Sequence, residues 1–274
     1  MIFFLRPSIE SQPARFDVTR VSLAKSFCPL RVVLSPGDVD GVFALQSGFA
    51  LLTFDVRNVF LETSRMLHTE LIPSHDKSSR RLLIMLHGLG DSIAGYRWLP
   101  SALNIPSLNY LLVNAPDMYY GGYSWYDFIG DITPGVNRSR KLLVELLEAQ
   151  VGAGFPADQI TLGGFSQGCL MSLEVGLRYP HRLAGILGIS GYVCSPEKLV
   201  SELSPVAFQQ RILITHGTLD PLIPFALVRE QVNLLKGAGL HIEWHEFLKA
   251  HTIAGDELEV IRDFIQAGYR SVGR

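Results

Sequence analysis

From about Arg80 onward, short apolar runs alternate with longer segments whose apolar residues recur at helical spacing. The runs at 82–86, 110–113, 160–162, 184–189 and 212–215 are rich in branched residues and lack strict alternation. Strands buried on both faces of a parallel sheet have this character. Between and after them, five segments predict helices: 93–103, 136–151, 169–179, 224–236 and 254–267. In the second, Leu142, Leu143, Leu146 and Leu147 form one apolar stripe beside Lys141, Glu145 and Glu148, the pattern of a helix with one face in the core. Strand–helix alternation predicts an α/β fold, a mostly parallel central sheet with helices on both faces. The segment 240–247 alternates strictly and reads as a less buried strand near the sheet edge, and 66–72 is a weaker strand candidate before a turn at 73–79.

Residues 1–65 do not join this pattern. They carry scattered prolines and arginines with no clear period. They read as a leader of uncertain order or nativeness, with Met66 as the functional start and 66–274 as the domain. The apolar N-terminal stretch is too short for a signal-peptide core. The uncharged run 41–54 stops at Asp55 and Arg57, short of the roughly 20 residues a membrane helix needs. Neither a secretion signal nor a membrane span is read.

Composition narrows the class further. The chain has 274 residues, a net charge of −2, 47% hydrophobic and 18% charged residues, ordinary for a globular domain. Near-neutral charge argues against a nucleic-acid surface. Cys28, Cys169 and Cys194 are the three cysteines. They cannot close a disulfide framework, and no C-x-x-C pair suggests a metal, so a reducing cytoplasm is the simplest compartment. No feature fixes an oligomeric state.

The candidate chemistry centres on Gly164-Phe165-Ser166-Gln167-Gly168, between an apolar strand and a helical segment. A serine hydroxyl is a poor nucleophile until it is held clear of the backbone beside a base, and a sharp strand-to-helix turn does that. The turn needs a base and an acid downstream. Asp220 follows the strand 212–215, where open α/β sheets place their ligands, although a solvated turn or a helix cap would also use an aspartate. His251 lies between the strand 240–247 and the last helix, where a loop histidine can reach back over the serine. A plain polar loop residue or cap is the alternative. His241 and His245 share one face of the alternating strand and suit a half-exposed sheet surface, and Asp256 lies inside the last helix. A tetrahedral oxyanion needs backbone N–H donors, from Gln167 after the serine and from the glycine-rich loop His87-Gly88-Leu89-Gly90-Asp91, where Leu89 is the expected donor. His87 is read as a brace for that loop.

Four motifs occur in order: His87-Gly88-Leu89-Gly90-Asp91, Ser124-Trp125-Tyr126-Asp127, Gly164-Phe165-Ser166-Gln167-Gly168 and His216-Gly217-Thr218-Leu219-Asp220-Pro221-Leu222-Ile223-Pro224, followed by His251. Together, over about 66–269, they resemble the phospholipase/carboxylesterase family, which includes the acyl-protein thioesterases. The resemblance implies a compact α/β-hydrolase with little or no cap domain and a Ser166–Asp220–His251 triad. It also implies an oxyanion hole from Leu89 and Gln167, and ester or thioester cleavage without cofactor or metal. Cys169 stands where many members have a second glycine, and Ala250 where a glycine usually precedes the histidine. Cys169 is read as a small packed side chain.

The aromatic-rich segment 117–128 is expected to wall an acyl pocket, with Tyr119, Trp125 and Ile223 the substrate-binding candidates. The sequence thus predicts a serine hydrolase of carboxylesterase type, acting on a small acyl ester or thioester through an acyl-enzyme. A lysophospholipase or acyl-protein thioesterase is the enzymatic alternative, and a hydrolase-fold binding protein the non-enzymatic one.

Overall fold

Branched apolar runs do pair into one sheet, and the pairing shows why they lack alternation. A computed structural model describes residues 42–47, 50–55 and 67–269. The chain divides into two units, Met1–Glu62 and Thr63–Arg274. In the first, strand β1 (Val42–Ser47) pairs antiparallel with β2 (Ala50–Asp55), Val42 opposite Asp55. The reading of 1–65 as a leader otherwise falls outside the described residues.

The second unit holds a seven-stranded sheet. Its strands are β3 (Thr69–Ile72), β4 (Arg81–Leu86), β5 (Leu108–Val113), β8 (Ile160–Phe165), β9 (Gly185–Ile189), β10 (Ile212–Gly217) and β11 (Ile242–Phe247). Their order is β11-β10-β9-β8-β4-β5-β3, parallel throughout except that β3 runs antiparallel to β5. A separate hairpin joins β6 (Asp117–Tyr119) to β7 (Gly122–Ser124). The helices are α1 (Leu99–Leu103), α2 (Thr133–Gly152), α3 (Gln167–Gly176), α4 (Pro196–Ser201), α5 (Phe225–Gly237) and α6 (Gly255–Gly268).

Successive side chains of a strand point to opposite faces. In β4, Leu82, Ile84 and Leu86 enter one apolar cluster with residues of α2, α3 and α5. Leu83 and Met85 enter the other, with Leu99 and Leu103 of α1 and Ile261, Phe264 and Ile265 of α6. Both faces are therefore core, which is why these strands are largely apolar on both faces and do not alternate. The edges differ. In β11, Ile242 is buried, Glu243 and Glu246 are exposed and the other three residues are intermediate, so the strand is less buried, as expected, but its burial does not follow a strict two-residue period.

Two elements depart from the sequence expectation. The helix expected over 93–103 is a 3₁₀ turn, Ile93–Tyr96, followed by the short α1. Pro100 explains the break, because it has no N–H to give and its ring clashes with the backbone one turn back. The aromatic segment forms the β6–β7 hairpin, turning through Tyr120 (φ 43°) and Gly121 (φ 90°). Paired positive φ values are the geometry that suits a tight hairpin's twist. Strands of three residues are too short to display a period.

Candidate active site

The serine turn is built where β8 meets α3. Ser166 sits at φ 56°, ψ −114°, a region that side-chain-bearing residues avoid and that costs about 1–3 kcal/mol to hold. Its N–H donates to the Ile189 carbonyl (2.9 Å) and its carbonyl accepts from Leu170 N–H (3.2 Å). The turn closes so tightly that a Cβ at Gly164 would lie 2.0 Å from the Gly168 carbonyl oxygen, and one at Gly168 would lie 2.2 Å from that of Leu86. Only glycine fits either position.

The loop between β11 and α6 brings His251 over this turn. Its Nε2 lies 3.0 Å from Ser166 Oγ, and its Nδ1 lies 2.7 Å from Asp220 Oδ2. Phe165 packs against the imidazole with ring centres 4.9 Å apart. Asp220 follows β10, with its carboxylate fully buried. Its Oδ1 accepts the N–H groups of Leu222 and Ile223, both at 2.9 Å. Burial alone would raise this carboxyl. The Ile223 N–H, the His251 ring and the Leu222 N–H outweigh it and hold the pKa below the ordinary value. An ionised carboxylate can only accept, so His251 Nδ1 carries the proton and Nε2 presents a lone pair to the serine hydroxyl.

Beside the serine lies the loop after β4. A Cβ at Gly88 would come within 3.3 Å of Ser166 Cβ. Among the described residues neither the Leu89 nor the Gln167 N–H meets an acceptor. Gln167 also opens α3, a ten-residue helix whose N-terminal end favours negative charge. His87 braces this loop as expected: Ala115 N–H donates to its Nε2 (3.0 Å), so Nδ1–H donates to the Gly88 carbonyl (2.6 Å). Burial holds the ring's pKa below the ordinary value, so it stays neutral.

The β6–β7 hairpin fastens onto the same loop. Gly90 N–H donates to the Tyr123 carbonyl (2.8 Å), and Tyr123 N–H donates to that of Asp91 (2.9 Å). Tyr119 is half-buried against Gly90 and makes edge contacts with Tyr120 and Phe128. Trp125 does not meet open space. It is 0% exposed, and its indole N–H donates to the His87 carbonyl at 2.9 Å. Its position is therefore beneath the loop and not along a pocket wall, because an indole N–H buried in the core requires an acceptor. Ile223 is half-buried, and its backbone accepts from His216 Nε2 (3.0 Å) while donating to Asp220.

The other candidates lie apart. His245 is half-buried and its Nε2 bonds Glu243 (2.9 Å). Asp256 accepts the Glu257 N–H in the first turn of α6. Cys169 is wholly buried, which pushes its thiol up to about 12. Among the described residues no cluster of His, Cys, Asp or Glu could hold a metal, and no helix is long and apolar enough to cross a membrane.

Sequence reasoning missed the supports. The Gln167 carboxamide accepts from Trp125 N–H (3.0 Å) and donates to the Tyr126 carbonyl (3.0 Å), tying the aromatic segment to the serine turn. Its polarity beside the candidate serine is the one signal the sequence holds.

The phospholipase/carboxylesterase family model matches residues 67–268. Acyl-protein thioesterase 1 of Schizosaccharomyces pombe is 40% identical over 158 residues, 53% of this chain and 70% of that protein. The Debaryomyces hansenii protein of the same name is 28% identical over 225 residues, 74% of this chain and 97% of the relative. The crystal structure of esterase PE8 superposes with a TM-score of 0.64 at 30% identity, covering 74% of this chain and 99% of that one. With its seven-stranded sheet and serine turn, this chain belongs to the phospholipase/carboxylesterase family and is an α/β-hydrolase of the esterase and thioesterase group.

Proposed function

We propose that this protein is a serine hydrolase that cleaves carboxylic esters and thioesters through an acyl-enzyme, with Ser166, His251 and Asp220 as its triad. The observation that carries the reading is the unbroken series of hydrogen bonds, 3.0 Å from Ser166 to His251 and 2.7 Å from His251 to Asp220, on a turn strained to present the serine. Ser166 Oγ attacks the acyl carbonyl while His251 Nε2 takes its proton. Asp220 holds the imidazole and stabilises its charged form. The N–H groups of Leu89 and Gln167 receive the oxyanion, each worth roughly 3–4 kcal/mol if lost. His251 then protonates the leaving alcohol or thiol, and afterwards activates the water that releases the acid. No cofactor is needed for these steps.

Tyr119 and Ile223 are the proposed substrate walls, with Trp125 acting beneath them as a prop. An acyl-protein thioesterase is the second reading. It is favoured by the names of the fungal relatives and by the exposed apolar side chains Met118, Tyr120, Phe128, Leu219 and Leu222 on the segments that carry the site. A cytoplasmic location fits either substrate. Turnover of short p-nitrophenyl esters, long acyl-CoA and lysophospholipid separates the readings. A preference for short esters with no chain-length response favours the general esterase, and rates that climb with acyl length favour the thioesterase. Ser166→Ala is expected to lower kcat by about 10⁴-fold or more with the fold intact, and wild-type turnover in that variant rejects the proposal.

A further inference from the structure

A buried cation that the reaction does not use lies two residues before His251. The Lys249 side chain is 3% exposed. Its ammonium donates to Glu257 Oε1 and Oε2 (both 2.6 Å), to the Thr252 carbonyl (2.8 Å) and to Ser190 Oγ (2.9 Å). Glu257 is itself buried, and its Oε2 also accepts the Ala254 N–H (3.0 Å). Thr252 and Ala254 flank the histidine loop, so the ion pair grips that loop on its C-terminal side.

The same residue reaches the other two partners. Its carbonyl accepts the N–H of Leu219 (3.1 Å), the neighbour of Asp220. It also lies so close to Gly217 that a Cβ there would come within 2.3 Å of it. Ser190 stands at φ 47° directly after Ile189, whose carbonyl holds the Ser166 N–H. The segments bearing nucleophile, acid and base thus converge on one lysine.

Stability alone does not account for it. Burial pulls the Lys249 ammonium below its ordinary pKa, and the Glu257 carboxylate only partly restores it. Apolar residues of similar volume commonly hold a fold as well as a buried ion pair does, whereas the acceptors on Glu257, Thr252 and Ser190 specify where this ammonium sits.

We infer that Lys249, held by Glu257 and Ser190, is a positioning residue that sets His251 between Ser166 and Asp220. The inference rests on the triad reading above. It is tested in the full chain with Lys249→Met/Glu257→Met, which removes both charges together so that neither is left buried alone. In p-nitrophenyl ester hydrolysis, kcat is expected to fall about 10- to 100-fold at unchanged KM, the scale of a misplaced catalytic group. The rate at which a fluorophosphonate modifies Ser166 is expected to fall by a similar factor, because the hydroxyl is activated only when His251 stands beside it. A folded double variant with wild-type kcat and an unchanged rate of Ser166 modification overturns the inference, as does a loss of activity no larger than the unfolded fraction. If the double variant does not fold, Ser190→Ala, which leaves the ion pair intact, decides: lower kcat at constant KM supports it, and unchanged kcat contradicts it. Residual wild-type turnover in Ser166→Ala would instead remove the triad on which both readings stand.

Discussion

In the proposed reaction Ser166 owes its reactivity to placement. The turn lifts its hydroxyl away from the backbone, the two glycines permit that turn, and the buried Asp220 fixes which nitrogen of His251 faces it. Asp220→Asn keeps the shape but can donate to Nδ1, so it favours the wrong tautomer, and kcat is expected to fall by about 10⁴-fold. A loss under tenfold, measured by steady-state hydrolysis, would show that Asp220 only caps its loop. Trp125→Phe keeps an aromatic ring of smaller volume and deletes the bond to the His87 carbonyl. Its expected signature is a lower kcat with KM unchanged, because the oxyanion loop loosens while the pocket keeps its walls. A raised KM with kcat intact would return Trp125 to the pocket. The residues of the proposed chemistry could be nominated from the sequence because each occupies a loop whose place follows from the strand before it. Trp125 and Lys249 were not, since their roles depend on which carbonyl or carboxylate lies opposite, and that is decided only by the packed chain.

The hairpin β6–β7 is hydrogen-bonded to the glycine-rich loop after β4, the proposed source of one oxyanion donor. A Cβ at Gly122 would sit 2.0 Å from the Gly90 carbonyl oxygen, so Gly122→Ala must push the two apart. Turnover is expected to fall by about 10²–10³-fold, the scale of one lost oxyanion donor. Labelling of Ser166 by a fluorophosphonate should fall with it, while far-UV circular dichroism stays unchanged. Full activity in that variant would detach the hairpin from the mechanism. Long elements were readable from pattern: the stripe of Leu142, Leu143, Leu146 and Leu147 lies on α2, and the uninterrupted apolar runs form the central strands. The hairpin, α4 and the break before α1 were not, because pieces of three to six residues carry no period and Pro100 acts locally.

At the scale of the whole molecule, the second unit carries a sheet with a core on each face, and two of its buried groups bear on its pH range. Burial lowers the pKa of both His87 and His216. The unfolded chain therefore takes up these protons first, at its ordinary value near about 6.5. Their neutral forms are accommodated in full above that pH, and stability is lost as the pH drops below it toward the folded values. The melting temperature is accordingly expected to decline between about pH 7 and pH 5, less steeply in His87→Asn, whereas a constant melting temperature would contradict this. A chain beginning at Met66 contains every residue of the proposed site, so it is expected to keep kcat/KM unchanged, and a large loss would assign residues before it a part in the site. The most direct test of the central claim is to treat the full chain with a fluorophosphonate and map the adduct by peptide mass spectrometry. One phosphonyl group on Ser166, formed in the wild type and suppressed in His251→Ala, is the expected result. Modification at another residue, or an unmodified Ser166 in the folded wild-type protein, would contradict it.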